Sequence, residues 1–446
     1  METVKTERIT SYEGFVDKSA AKTNIFFGKQ ALYAWVVLGC AWSFYLYEYI
    51  LRVSPGVIEK QLMFDFSVTA TSVGVISGFY YWAYVPLQVP CGVIADRFGA
   101  RRVVSLSAFL CVLGCLFFAQ SHNVMTAMIG RFLMGAGSAC AYICCAKVIA
   151  QWFSADRFPI LINISMFMGT IGGSSGALFA VLVDATDWRM AIVIMGAVGA
   201  LVCLVAWLFM RDKPQTDSEV SSSNATHKAK FLDGIRVVAS NPQNWLIGMY
   251  GCMMYLPLCA FAELWGVPFL TKMYGIDAKT AAAACINVFI GMGLGCIAAA
   301  WISNRMKSRT RVMSLSALGT LACFMVVFFV PHLPFSVMCL FLFVGGLMSG
   351  GSVMYFTAAK ENTPHQYSAT AVGFTNALVM TSALIFQPLL GKLLDLTWNG
   401  QKSVEGIPIY SIENYKVAFS AVTVAFVVGW VIMQFVRETY GKETEN

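Results

Sequence analysis

Glu48 and Glu263 are the only two of the 24 acidic residues that lie inside long apolar stretches and clear of their ends. No histidine does so: His122, His227, His332 and His365 fall in loops or at stretch ends. An ionisable group is costly to keep in hydrocarbon, so each one that persists there is a candidate for moving a proton or an ion. A carboxyl suits proton carriage, because an apolar cavity favours its neutral form and a nearby arginine favours its charged form. The cations within apolar stretches are Arg131 and Lys147, and Arg52 follows Glu48 by one helical turn on the same face. Arg131 carries the fork that binds a carboxylate bidentately. Acid and arginine together are the groups needed to couple proton carriage to the binding of a carboxylate.

The elements that hold these residues are apolar helices. The chain has 446 residues, 58% hydrophobic and 12% charged, about half the charge of an ordinary soluble protein. Twelve stretches reach or approach the roughly 20 residues needed to cross a bilayer. They run over 31–53, 71–95, 103–119, 124–149, 158–183, 189–210, 244–269, 279–303, 312–331, 335–358, 369–394 and 415–436. The expected fold is an all-α membrane protein of twelve transmembrane helices, in two six-helix pseudo-symmetric halves around a central cavity. Its expected parts are a tail (1–30), a first bundle (31–210), a linker (211–243), a second bundle (244–436) and a second tail (437–446). Most of the 31 lysines and arginines fall on the side that holds both tails and the linker, which the positive-inside rule places in the cytoplasm. That distribution accounts for the net charge of +7 without nucleic acid. The first 29 residues are polar and no signal peptide is expected. The 14 cysteines lie in or beside apolar spans without metal-binding spacing and read as packing residues. Phe231 to Ser240 in the linker reads as a short amphipathic surface helix.

Glu48 and Glu263 occupy the first spans of the two halves at related depths, toward the outer side, and Arg131 lies at a similar depth in the fourth span. A Glu48–Arg131 pair is expected, either as a proton and substrate site or as a permanent ion pair fixing two helices. Arg52 reads as an interfacial arginine snorkelling at the outer mouth, and Lys147 as one snorkelling at the cytoplasmic end or contacting substrate there. Tyr45 shares a face of the first span with Glu48, and Tyr81, Tyr84 and Gln88 share a face of the second. Asn163, Asn287, Asn376 and Gln387 add polar groups at membrane depth, as helix–helix hydrogen bonds or as ligand contacts.

Between the second and third spans the chain reads Gly92-Val-Ile-Ala-Asp96-Arg97-Phe-Gly99-Ala-Arg101-Arg102. This resembles the G-x-x-x-D-R-x-G-x-R-R signature of the major facilitator superfamily. Arg131-Phe-Leu-Met-Gly135-Ala-Gly137 is similar to the family's R-x-x-x-G-x-G pattern. The counterpart loop, Ala300 to Arg311, keeps the basic residues but has Asn304 in place of the aspartate. A gating latch is expected in the first loop. Gly92 would let helices 2 and 11 approach, Gly99 would allow a tight turn, Asp96 would accept from an arginine or the N-terminus of helix 11, and Arg101 would pair with Asp156. Acid on the first helix and arginine on the fourth also resembles the organic anion symporter branch. The fifth span, Gly169-Thr-Ile-Gly172-Gly173-Ser-Ser-Gly176, lacks the proline of the drug antiporter signature, which argues against export.

The resulting expectation is a secondary active transporter working by alternating access, taking up an amino acid, short peptide or organic acid with protons. Export of a metabolite or siderophore-like anion is the alternative, and a membrane sensor a third. Partners are a small-molecule substrate, protons and the lipid bilayer, with no nucleic acid. The resemblance implies a monomer, and the short loops suggest a bacterial inner membrane with both termini cytoplasmic. No enzyme activity, cofactor or metal is expected: there is no HExxH, CxxC or P-loop, and Gly172 to Gly176 matches G-x-S-x-G within an apolar helix that lacks a histidine base.

Overall fold

The structure is a computed structural model that describes residues 32–154, 157–212, 226–364 and 367–440. Among the described residues, eleven helices are long and apolar enough to cross a membrane. They are α1 (Leu32–Val57), α3 (Ala100–Ala119), α4 (Val124–Trp152), α5 (Ile160–Ala185), α6 (Trp188–Phe209), α7 (Pro242–Tyr274), α8 (Ala278–Met306), α9 (Arg309–Phe329), α10 (Phe335–Glu361), α11 (Thr370–Thr397) and α12 (Ile412–Met433). The twelfth is α2, Ala70–Phe98. It is preceded at 112° by the short helix Glu59–Phe66, whose exposed Lys60 and Asp65 suit a membrane surface rather than its core. The linker helix extends over Thr226–Ser240, five residues longer at its start than the amphipathic pattern predicts.

Glycine-rich runs interrupt three spans. Helix α4 breaks after Ser138, α5 after Gly173 and α10 after Ser352. Helix α7 changes hydrogen-bond register, because Pro257 has no N–H to give and opens a π-helix over Pro257–Trp265. Side chains take up the freed backbone: Ser349 donates to the Met254 carbonyl at 3.0 Å and Gln387 to the Cys259 carbonyl at 2.7 Å.

The 2–3 and 8–9 loops share a basic face with Arg211 and Lys360. Here an acid that follows the last helix of each half caps the third helix of that half. Asp212 accepts from the Arg101 backbone N–H at 3.2 Å. Glu438 accepts from the backbone N–H groups of Arg309 (2.9 Å) and Thr310 (3.2 Å) and from the Ser308 hydroxyl. These donors to the charged form hold the Glu438 carboxyl down at about 2.

The two halves meet along α2–α11 and α5–α8. At the face opposite the basic one they touch backbone to backbone. A Cβ on Gly56 would lie 2.6 Å from the Glu263 carbonyl oxygen, and one on Gly74 or Gly391 would collide with the carbonyl of Gln387 or Ala70. Toward the basic face the halves separate around a cavity of about 350 Å³.

Candidate transport site

Six tyrosines dominate the cavity wall: Tyr45 and Tyr49 on α1, Tyr84 on α2, Tyr142 on α4, Tyr255 on α7 and Tyr355 on α10. Asn376 and Thr357 add polar groups, and Ile297, Ala300 and Phe356 carry the wall toward the basic face. Arg52 is its one lining arginine. Its guanidinium lies 4.3 Å from the Tyr49 ring centroid and 5.0 Å from that of Tyr84, close enough for cation–π attraction.

Arg52 does not snorkel; its side chain is 1% exposed. Helix α1 runs on to Val57 and packs against α7 at Gly56, so the arginine lies within the bundle. Its Nη2 donates to both carboxylate oxygens of Glu48, at 3.1 and 3.0 Å, and Nη1 reaches the Tyr255 hydroxyl at 3.5 Å across the halves. The Tyr80 hydroxyl donates to the same Glu48 carboxylate at 2.7 Å.

The expected Glu48–Arg131 pair is therefore not formed. Arg131 is fully buried, and its Nη1 donates at 2.7 Å to the Leu51 carbonyl. That carbonyl has no backbone donor four residues on, because Pro55 has no N–H, and it accepts from the Ser54 hydroxyl at 2.9 Å as well. Nε and Nη2 of Arg131 have no partner among the described residues, and Tyr80 stacks 4.9 Å from its guanidinium carbon. Gly135 brings α4 this close, since any Cβ there would collide with the Tyr80 backbone. Glu263, on the π-helix, accepts a short hydrogen bond from Tyr81 across the halves, and its Oε1 is unpartnered. Gln88 and Asn376 bond across the halves at 2.8 Å. Glu48, Arg131, Glu263, Tyr81 and Gln88 thus sit behind the cavity wall rather than on it, while Tyr45, Arg52 and Asn376 line it. Among the described residues, Asn287 bonds to its own helix, at the Ala284 carbonyl, and the Asn163 side chain lies outside the described positions.

The loop motif departs from the expected latch. Asp96 is 81% exposed and, among the described residues, pairs with Lys147 at 3.0 Å. Lys147 also donates to the Ala95 carbonyl at 2.5 Å, so it is tied to the end of α2 instead of lying free at the interface. Arg101 donates to the Trp207 carbonyl at 2.9 Å, and its predicted partner Asp156 lies outside the described residues. Arg97 and Arg102 line a basic pocket with Lys147 and Arg211. Gly92 has nothing within 4 Å of its Cβ position; Gly74 and Gly78 make the α2–α11 approach instead. Gly99 does take the predicted turn, at φ +82°.

The mirror image of that latch is formed at the opposite face. Asp395, at the end of α11, accepts from the Thr71 backbone N–H at 2.9 Å and the Thr69 hydroxyl at 2.6 Å, at the start of α2. Tyr410 donates to Asp395 at 2.5 Å and accepts from the Ala70 N–H at 3.1 Å. First-turn N–H groups of α2 are thus satisfied from the other half.

Twelve spans in two bundles, meeting at one face and parted by a polar cavity toward the other, define a membrane transport protein. The family described as Major Facilitator Superfamily matches residues 37–388, and the chain belongs to it. It is similar to the probable sulfoacetate transporter SauU of Cupriavidus necator, with 22% identity over 63% of this chain and 67% of that one. It is also similar to the membrane sensor protein UhpC of Escherichia coli, with 21% identity over 81% of this chain and 86% of that one. Among solved structures, a bacterial homologue of the human lysosomal transporter Spinster, in an inward-facing and unoccupied conformation, superposes with a TM-score of 0.74. That match has 16% identity and covers 93% of this chain and 99% of the other.

Proposed function

We propose that this transporter takes up a small organic anion together with protons, by alternating exposure of the central cavity. The observation that carries the reading is Arg52, which faces the cavity while bonded to Glu48 behind it. A substrate carboxylate or sulfonate entering the cavity competes with Glu48 for the guanidinium. A Glu48 that takes up a proton releases Arg52 to the substrate, so anion and proton bind cooperatively. Glu263 is the second proton carrier, held by Tyr81 where the two halves meet. Arg131 supplies fixed positive charge behind the cavity wall and a second anion contact once the cavity extends past Arg52. Tyr45, Tyr81, Gln88 and Asn376 complete the polar wall and its backing. The likeness to a probable sulfoacetate transporter supports a compact anion. If the basic face is cytoplasmic, the conformation is inward-open, and the exposed Asp96 belongs to a latch that closes in the opposite state. Lys147, Gly92, Arg97, Arg101 and Arg102 then serve that inner gate, along with Asp156.

The test is uptake by proteoliposomes. Glu48→Gln is expected to abolish uphill accumulation driven by a pH gradient while leaving counterflow exchange. Equal loss of both would make the Glu48–Arg52 pair structural. The second reading, a membrane sensor, draws on the likeness to UhpC; ligand binding without uptake in the wild-type protein would favour it.

A further inference from the structure

The face opposite the basic one holds a third buried carboxyl that neither cavity nor latch uses. Glu59 starts the short helix after α1, is 3% exposed, and its Oε1 has no hydrogen-bond partner among the described residues. It lines a cavity of about 490 Å³ between the halves, with Lys60 and Met63 on its own side. Across from it stand Thr271 and Lys272 of α7, Tyr415 of α12, and Ser403, Glu405 and Tyr410 of the loop before α12. The Thr271 hydroxyl is also buried without a partner. Lys60, Lys272 and Glu405 are exposed, and among the described residues no cation forms an ion pair with Glu59. Tyr410 is committed to Asp395.

We propose that Glu59 makes closure of this face proton-dependent: the halves seal over it when it has taken a proton from the adjoining solution, and its loss of that proton favours their separation. An unpartnered carboxylate is strongly penalised away from water, whereas the neutral acid is not. Here burial pushes the Glu59 carboxyl up to about 7, against the opposing pull of Lys60. In the separated state the group returns toward its ordinary value of 4.5. The value is raised in the closed state, so closure is favoured at low pH and that advantage is lost as pH rises through about 7. Closure then changes by on the order of a hundredfold between about pH 5 and pH 8. The proton comes from, and returns to, the solution on that face. The proposal rests on the alternating motion proposed above but not on Glu48, Arg52 or any substrate.

The experiment is hydrogen exchange of the full chain in lipid nanodiscs, without substrate, at about pH 5, 6.5 and 8, corrected for intrinsic amide rates. Amides of 59–68 and 403–410 are expected to lose on the order of a hundredfold protection from the lowest to the highest pH in the wild-type protein. Glu59→Gln is expected to hold the acid-state protection throughout. Glu59→Ala must lose the pH response as well, and serves if the glutamine variant does not fold. Constant wild-type protection, or a variant that keeps the wild-type pH response, overturns the proposal. Because substrate is absent, either failure leaves the anion-uptake reading to its own test.

Discussion

Arg52 and Glu48 stand one turn apart on α1, with one guanidinium nitrogen 3.0 and 3.1 Å from the two carboxylate oxygens. The arginine reaches the cavity and the glutamate does not. Arg52→Lys keeps the charge but loses the planar fork that serves acid and substrate at once. Affinity for an anionic substrate is expected to fall about tenfold or more, the scale of one charge-assisted hydrogen bond. Arg131→Lys, behind the wall, is expected to weaken binding less. Calorimetric titration of the purified proteins measures both; unchanged affinity in a folded Arg52→Lys protein would remove Arg52 from the site.

Asp395→Asn keeps the shape of the latch and removes its charge. A carboxylate at a helix N-terminus contributes about 0.3–2 kcal/mol, so the sealed face is expected to open more readily. The maximal transport rate should change several-fold while substrate affinity stays near the wild-type value. A change confined to affinity would count against a gating role.

Glu438→Gln weakens the cap on α9, by about 1 kcal/mol on the scale of other N-cap losses. The carboxyl is held below its ordinary 4.5, at about 2, so its stabilisation is fully present above pH 4.5 and is lost as pH falls through about 2. Melting temperatures of wild type and variant should therefore differ at pH 7 and converge toward pH 2. A gap that is constant with pH would show that the charge is not what stabilises the cap.

The spans and the intramembrane glutamates could be read from hydropathy, because lipid makes charge expensive everywhere along a span. What the sequence concealed was the identity of each partner. Arg131 bonds a backbone carbonyl, which has no side-chain signature, although Pro55 announces that the Leu51 carbonyl lacks its helical N–H donor. The apolar run fades after Val53 and so points Arg52 to the mouth, yet α1 continues to Val57 and is covered by α7, whose π-helix follows from Pro257 but not from any hydropathy pattern. Asp395 and Thr71 are 324 positions apart, so no local motif joins them. An inverted relation between the packed helices α2 and α11 could have found the pair: Asp96 ends α2 as Asp395 ends α11.

The most direct test of anion uptake through Arg52 and Glu48 is a thermal-shift titration of the detergent-purified protein. Sulfoacetate, short dicarboxylates, sugar acids, amino acids and lipophilic cations would each be titrated at about pH 5.5 and 7.5. A ligand that binds the folded state raises the melting temperature by mass action. The account predicts stabilisation by compact anions, larger at the lower pH and lost in Arg52→Gln. No response to any anion, or responses confined to lipophilic cations, would contradict it.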